Sequence, residues 1–502
     1  MIRYFYMGRL FKAWWLCLGF ARILNFHINN FMLVEGSEDS KTCHENEGSC
    51  SPGDLSKQEI EIEPNYMELL QEAVANCKDM QCVLTELITD EFFREDCWET
   101  QPVFLHTKPG TFGKGKLTWK TLLDLTDEGL MWGDKGENCI VHPDVKNGTA
   151  FKFDARFKGA QMTRQQLEVL KDTIHISSIQ AIHRGAAELV LHFQRALGLA
   201  ANGNVFATKG VKDTPLHTDR AEIFVVQTSG RKRWRVYQPH TQLPVWGVHG
   251  DGDWGKNEAL PSSLVGDLVL DKILEPGDIL YIPRGFPRSA TTLPNKKKNE
   301  RIIDVSIVMH TEGLHLVFEK YMRCALARSG TCDVTELGEK YCPLGRTLTE
   351  HTRSEEGKPL RQSLPIGFLS GAKDYWPMFA KKMADTVQSQ LAMVLKKADK
   401  KGISQEPGLV EKLDSELATV AGRVFETAKA DIKVLEEKGW YGNNEDVAFY
   451  EKQKHWRYLI KMSGPFQGTY CHENGIEVAF RDYSDADLPL DRFTKMVKKT
   501  KK

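Results

Sequence analysis

The sequence predicts an α+β fold, with a small all-β barrel or sandwich over residues 201–315 and helices on either side of it. Three observations lead there. Short runs rich in Val, Ile, Phe and Tyr alternate with Gly and Pro punctuation at Val205–Thr208, Glu222–Thr228, Arg233–Tyr237, Asp278–Pro283 and Ile302–His310. Regularly spaced strands of that length, separated by turns, pack as barrels or sandwiches. Ahead of them apolar residues recur at helical spacing, as in Met67, Leu69, Leu70, Val74 and then Val83, Leu84, Leu87, Ile88. Behind them the same period returns over Met378–Lys397 and Leu409–Glu437.

Taken in order, residues 61–200 open with two amphipathic helices between Glu61 and Phe93. Two β-like runs come next, near Val103–His106 and Ala150–Asp154, with a helix around Trp119–Leu125 between them. Ala186–Leu197 reads as a further helix, stopped by Gly198. Within the β region, Pro276-Gly277-Asp278 is a turn that opens a hairpin, and Pro239–Lys272 reads as a Trp- and Gly-bearing insertion at the rim of a site. Residues 316–440 are helical, either a bundle packed on the barrel or a dimerisation surface. Residues 441–502 form a small C-terminal region ending in Lys495, Lys498, Lys499, Lys501 and Lys502. Such a tail is a solvated end or a contact for an acidic partner.

The 502 residues suffice for two or three cores, at about 100–200 residues per domain. Hydrophobic content of 41% and charged content of 27% are those of a globular protein. The formal net charge is -1, so the global basic excess of a dedicated nucleic-acid binder is lacking, and no nucleic-acid partner is expected.

At the N-terminus, Arg3, Arg9 and Lys12 precede an apolar run from Ala13 to Ala21, with Gly19 and Ala21 spaced like a small-x-small cleavage site. These are the parts of a signal peptide over residues 1–24, although Arg22 interrupts the run. The run is too short for a bilayer, which takes about 20 residues, so no membrane span is expected. Residues 25–60 are polar and rich in breakers, the composition of a disordered segment. Removal of Cys17 with the leader would leave ten of the 11 cysteines, an even set of the kind that pairs in oxidising compartments. Asn147-Gly148-Thr149 is a glycosylation sequon, and no C-x-x-C pair suggests zinc. The expectation is a secreted or lumenal protein; the alternative is the nucleus.

The chemistry centres on Pro215-Leu216-His217-Thr218-Asp219, directly before an apolar strand. Residues two apart on a strand share a face, so His217 and Asp219 can both point into a barrel. An imidazole and a carboxylate are two thirds of the facial triad that holds non-haem iron(II). An H-x-D triplet by itself is common and usually structural. Its surroundings sharpen it: Gly230, Lys232 and Trp234–Tyr237 come after it, and then Ile273–Phe286, ILEPGDILYIPRGF.

Together these motifs resemble the JmjC proteins, most closely the ribosomal oxygenase branch, which includes histidyl hydroxylases of ribosomal proteins. Phe92-Phe93 with Cys97–Leu105, Gly203–Phe206 and Leu360–Leu369 extend the resemblance over about residues 90–370. It implies a double-stranded β-helix (cupin) barrel, iron(II) and 2-oxoglutarate as cofactors, a protein or peptide substrate, and a homodimer formed through the helical region. Carried over residue by residue, His217 and Asp219 are the first two iron ligands. Lys232 pairs with the distal carboxylate of 2-oxoglutarate, and Asn204 helps to position that cosubstrate. A buried dicarboxylate does need a cation and donors. Without the resemblance, Lys232 would read as a surface lysine. Arg231 and Arg233 alternate with it and should face away. No catalytic side chain beyond the metal site is implied.

One position departs from the pattern. The family's second motif ends Pro-Arg-Gly-x-x-His, where the histidine is the third ligand. This chain reads Pro283-Arg284-Gly285-Phe286-Pro287-Arg288. Arginine offers only donors and stays protonated, so it does not ligate iron. His240, His249, His310 and His315 could replace it only by rearrangement. Asp304 could compensate as a carboxylate or pair with Arg288, and the ion pair is the expected outcome. Three readings remain: a protein hydroxylase impaired at iron, a non-catalytic module whose cleft holds an anion on Arg288 and Lys232, and an extracellular structural protein built on the barrel.

Overall fold

The computed structural model describes residues 65–416, with internal gaps of which 143–159, 245–259 and 330–342 are the longest, and the short pair His472–Glu473 and Ile476–Glu477. The signal segment 1–24, the polar segment 25–60, the β-like run at Ala150–Asp154, the sequon at Asn147, His249, His310, His315 and the basic tail lie outside the described residues.

Two short helices come first, α1 (Tyr66–Ala75) and α2 (Met80–Thr89). Each begins where a side chain replaces the missing helical acceptor. Asn65 Oδ1 accepts from Glu68 N at 3.4 Å, and Asp79 Oδ1 accepts from Cys82 N at 2.9 Å. Helix α2 buries Met80, Val83, Leu84, Leu87 and Ile88, the one-faced stripe expected from the sequence. A disulfide joins Cys77 to Cys82 across the α1–α2 turn. Then come β1 (Val103–Leu105), α3 (Trp119–Asp127), β2 (Trp132–Gly133), β3 (Cys139–His142), β4 (Ala160–Gln161), α4 (Arg164–Val169), β5 (Thr173–Ile176) and α5 (Arg184–Leu197). Helices α3 and α4 both start with a capping box, Thr118 with Thr121 and Thr163 with Gln166.

The barrel is built from eight strands: β6 (Ala201–Lys209), β7 (Asp213–His217), β8 (Glu222–Ser229), β9 (Lys232–Pro239), β10 (Val265–Leu274), β11 (Ile279–Ile282), β12 (Arg288–Thr292) and β13 (Arg301–Met309). The larger sheet runs β1-β11-β8-β13-β6-β5-β3-β2-β4, and the smaller runs β10-β9-β12-β7. All pairs among the eight are antiparallel. The chain crosses between the sheets at almost every connection, the topology of a double-stranded β-helix.

Each strand's alternation assigns its side chains. On β8, Ile223 and Val225 face the smaller sheet and pack with Trp234, Val236, Leu280, Ile282 and Ala290. Phe224 and Val226 face the other way, into the core shared with the flanking helices. A strand covered on both sides needs an unbroken apolar run, which is why IFVV stands out in the sequence. Outside the larger sheet, Phe224 packs against Tyr281 at 4.9 Å, Phe193 at 5.0 Å and Trp98 at 6.4 Å between ring centroids. After the barrel come α6 (Pro343–Arg353) and α7 (Tyr375–Lys400), and the helix expected from Leu409 is described as far as Glu416.

Three barrel strands escape the sequence pattern. Strands β7 (DTPLH) and β12 (RSATT) carry almost no apolar residues, yet alternate buried and half-buried side chains because their neighbours supply the core. Strand β10 lies inside the stretch expected to be an insertion. It is a sheet edge paired only with β9, and Leu268, Val269 and Ile273 are exposed along it, so its pattern carries no inward face.

The ring cluster on the outer face makes one stability test. Phe224 is fully buried, and Phe224→Ala should cost about 3–5 kcal/mol in urea unfolding. A loss below about 1 kcal/mol would mean that these rings do not carry the sheet–helix packing.

Candidate functional site

The inner face of the barrel collects the residues that the motifs single out. His217 is the last residue of β7, and its Nδ1 lies 2.8 Å from the carbonyl oxygen of Pro215. A carbonyl only accepts, so Nδ1 carries the proton in that bond and Nε2 is the nitrogen turned toward the hollow. Nε2 lies 3.8 Å from Asp219 Oδ2. Asp219 itself stands in the turn after β7 rather than on the strand, which corrects the simple alternation argument. The two side chains nevertheless converge. The turn is held because Gly285 N donates to Asp219 O at 3.0 Å, which joins the two motifs. Gly285 has φ +84, and a Cβ there would stand 2.5 Å from Pro244 Cδ, so the approach needs glycine.

Arg288 opens β12 directly opposite His217 and beside Val236. Its side chain does not turn outward. It is buried in the barrel, and its Nη2 forms an ion pair with Asp219 Oδ2. Burial pushes the Arg288 group down to about 9, still high enough to leave it a cation at neutral pH. The positive charge thus sits against the carboxylate that would otherwise face a metal.

Lys232 opens β9 and is buried, with its Nζ 2.9 Å from Asp304 Oδ1. Nζ also lies over the rings of Trp234 and Phe206, at 4.8 and 5.6 Å from their centroids. Asp304 sits on β13 opposite Phe206 of β6, and burial pushes its carboxyl up while Lys232 pulls it down. Side-chain chemistry alone makes Arg288 the expected partner of Asp304; the structure gives it Lys232 instead. The reason is register: Asp304 faces the Lys232 end of the barrel, whereas Arg288 pairs with His217 at the other end. An anion held jointly by Arg288 and Lys232 is likewise not what the structure shows, since each cation already has a carboxylate. Asn204 lies on β6 opposite Ser306, on the same face as Phe206, and its Oδ1 accepts from Asn202 Nδ2 at 3.4 Å. Arg233 faces outward, bonded to Asp271 at 2.6 Å, as alternation requires. His240 is exposed beyond β9.

Facial-triad iron needs two imidazoles and a carboxylate on one side of the metal. Among the described residues, the only set of three metal-ligating side chains close enough together is Cys77, Cys82 and Glu86, whose thiols are joined to each other. Among those same residues, no third such ligand joins His217 and Asp219. The donor set falls one ligand short, and the carboxylate is engaged by a guanidinium. The described residues of the pocket do not by themselves fit iron(II).

A second buried network is not legible in the sequence. Glu99 accepts from Ser363 N at 2.9 Å and from Arg284 Nη2 at 3.3 Å. Glu222 accepts from Tyr281 Oη at 2.8 Å and from Arg284 N at 3.0 Å. Arg284 Nη2 also donates to the carbonyl of Arg361 at 2.6 Å. Burial, helped by the nearby Glu99 charge, pushes Glu222 up to about 8. These bonds fix the loop that carries Arg288 from its other end. A lone Glu before an apolar strand is the only hint.

A double-stranded β-helix with His217 and Asp219 converging at the end of one inner strand is a cupin-type fold, and the family comparison agrees on the fold. Residues 183–307 match the family model for the JmjC domain, and this segment is a JmjC domain. Within that class the similarity runs to ribosomal oxygenases. The chain is 26% identical over 287 residues to ribosomal oxygenase 1 of Danio rerio, covering 56% of this chain and 45% of that protein. It is 25% identical over 255 residues to ribosomal oxygenase 2 of Rattus norvegicus, covering 50% and 51% respectively. The chain spans about half the length of the curated relatives it matches. The solved ribosomal oxygenase YcfD of Escherichia coli is 19% identical, with a TM-score of 0.31 over 47% of this chain and 55% of that one.

The Glu222 shift gives a pH test. The folded protein keeps this proton where the unfolded chain has lost it, so its contribution is fully present below the ordinary carboxylate range. It is lost as pH rises toward about 8. Unfolding free energies between about pH 5 and 9 should fall with pH in the wild type and fall less in Glu222→Gln. Equal slopes would remove Glu222 as the cause.

Proposed function

We propose that this chain is a JmjC oxygenase-type protein that engages a protein or peptide, with its iron chemistry impaired by Arg288. The single observation that carries the reading is the ion pair of Arg288 with Asp219, in register with His217. Iron(II) and 2-oxoglutarate are the cofactors of the class. In this chain His217 and Asp219 are the residues left to meet the metal, and Lys232 and Asn204 the cosubstrate. Separating the pair is costly on the Arg288 side, because a buried guanidinium stranded alone costs about 3–5 kcal/mol, while Asp219 keeps part of its side chain exposed. The barrel then serves as a scaffold that presents its rim to a partner.

A hydroxylase acting with an incomplete triad is the second reading. It is favoured by His217 Nε2 and Asp219 facing one hollow, and by Lys232 and Asn204 on the inner face. A homodimer through the helices after the barrel is part of either reading. Among the described residues no helix is long and apolar enough to cross a membrane. The Cys77–Cys82 disulfide supports an oxidising, secretory-pathway location for the protein.

The full chain, incubated with iron(II), ascorbate and 2-oxoglutarate, should release no succinate above a protein-free blank. It should also leave the solution spectrum of manganese(II) unchanged in electron paramagnetic resonance. Succinate formation that disappears in Asp219→Ala would overturn the impaired reading and establish the second.

A further inference from the structure

The two ion pairs inside the barrel together balance the charge of the whole pocket. In the iron-loaded pocket of the class, the charges of metal and lysine are offset by an aspartate and a dicarboxylate. Here a guanidinium and an ammonium are offset by two aspartates, and the sum is again neutral. No exogenous ion is required.

We propose that Asp304 is a built-in ligand of Lys232, standing where a dissociable dicarboxylate would bind, as Arg288 stands on Asp219 where a divalent cation would. The inference rests on the impaired-iron reading and adds to it that the cosubstrate side of the pocket is also filled by the protein itself.

The geometry supports this directly. Lys232 Nζ is 2.9 Å from Asp304 Oδ1, and the two side chains are 4% and 1% exposed. The ammonium is enclosed by the Phe206 and Trp234 rings, which leave Asp304 as its carboxylate partner. An incoming carboxylate would have to displace Asp304 and strand it in a site closed to water. The second oxygen, Asp304 Oδ2, is buried and has no hydrogen-bond partner among the described residues. The two pairs also sit at opposite ends of a shared face. Arg288 is beside Val236, and Lys232 lies four residues along the same strand, roughly 13 Å away. Residues 288 and 304 therefore set two independent specificities, one for a cation and one for a dicarboxylate.

The test separates them. Asp304→Ala and Asp304→Asn both remove the charge, and the second keeps the shape should the first fail to fold. Folding is judged by circular dichroism and thermal melting of the full chain. In calorimetry, 2-oxoglutarate and succinate should bind the folded Asp304 variants at least tenfold more tightly than the wild type, while acetate should not. Adding Lys232→Met to either variant should abolish the gain. Arg288→His should gain manganese(II) binding by electron paramagnetic resonance, whether or not Asp304 is changed. Wild-type protein that binds 2-oxoglutarate as tightly as the variants would overturn the proposal. So would folded Asp304 variants that gain no dicarboxylate binding. If Arg288→His still gains manganese(II) in that second case, the impaired-iron reading stands without this inference.

Discussion

A charge buried in a protein has to be answered by another charge, and the interior of this barrel is organised by that constraint. Asp219, Arg288, Lys232 and Asp304 lie inside a hollow otherwise walled by Ile223, Val225, Trp234, Val236 and Leu280. In such surroundings an unpaired ion costs far more than a surface pair gives. A buried guanidinium at position 288 calls for a carboxylate, and Asp219, beside His217, supplies it.

The pocket is also held by bonds among the protein's own backbone and side-chain groups. Gly285 N bonds to Asp219 O, and the Glu222–Arg284 contacts anchor the loop between them. These bonds do not involve any ligand. They hold His217, Asp219 and Arg288 in register whatever lies between them.

Much of this is legible in the sequence, and the exceptions have physical reasons. IFVV on β8 and ILYI on β11 announce strands buried on both faces. His217 lies on β7 and Lys232 is buried at the start of β9, whereas Asp219 stands in the turn after β7 and meets His217 from there, which strand alternation alone does not foresee. Strands β7 and β12 are hidden because their cores are supplied by neighbours, and β10 because an edge strand has no inward face to pattern. The partner of Asp304 differs from the expected Arg288 because a pairing between distant strands depends on register, which single-residue chemistry does not reveal. The Glu99–Glu222–Arg284 network is hidden for a related reason: Glu99 is more than a hundred residues from the other two in sequence, and they meet only after folding.

Arg284 and Glu99 also reach forward, to the carbonyl of Arg361 and the amide of Ser363, and Trp98 Nε1 donates to Ser363 Oγ at 3.0 Å. Those partners belong to the segment between α6 and α7. A fragment trimmed to the eight strands would leave the buried Arg284 without Glu99 and without the Arg361 carbonyl. The barrel is thus not a detachable cassette. Grafting it elsewhere, or expressing it without its downstream segment, removes the counterparts on which its own buried ions depend.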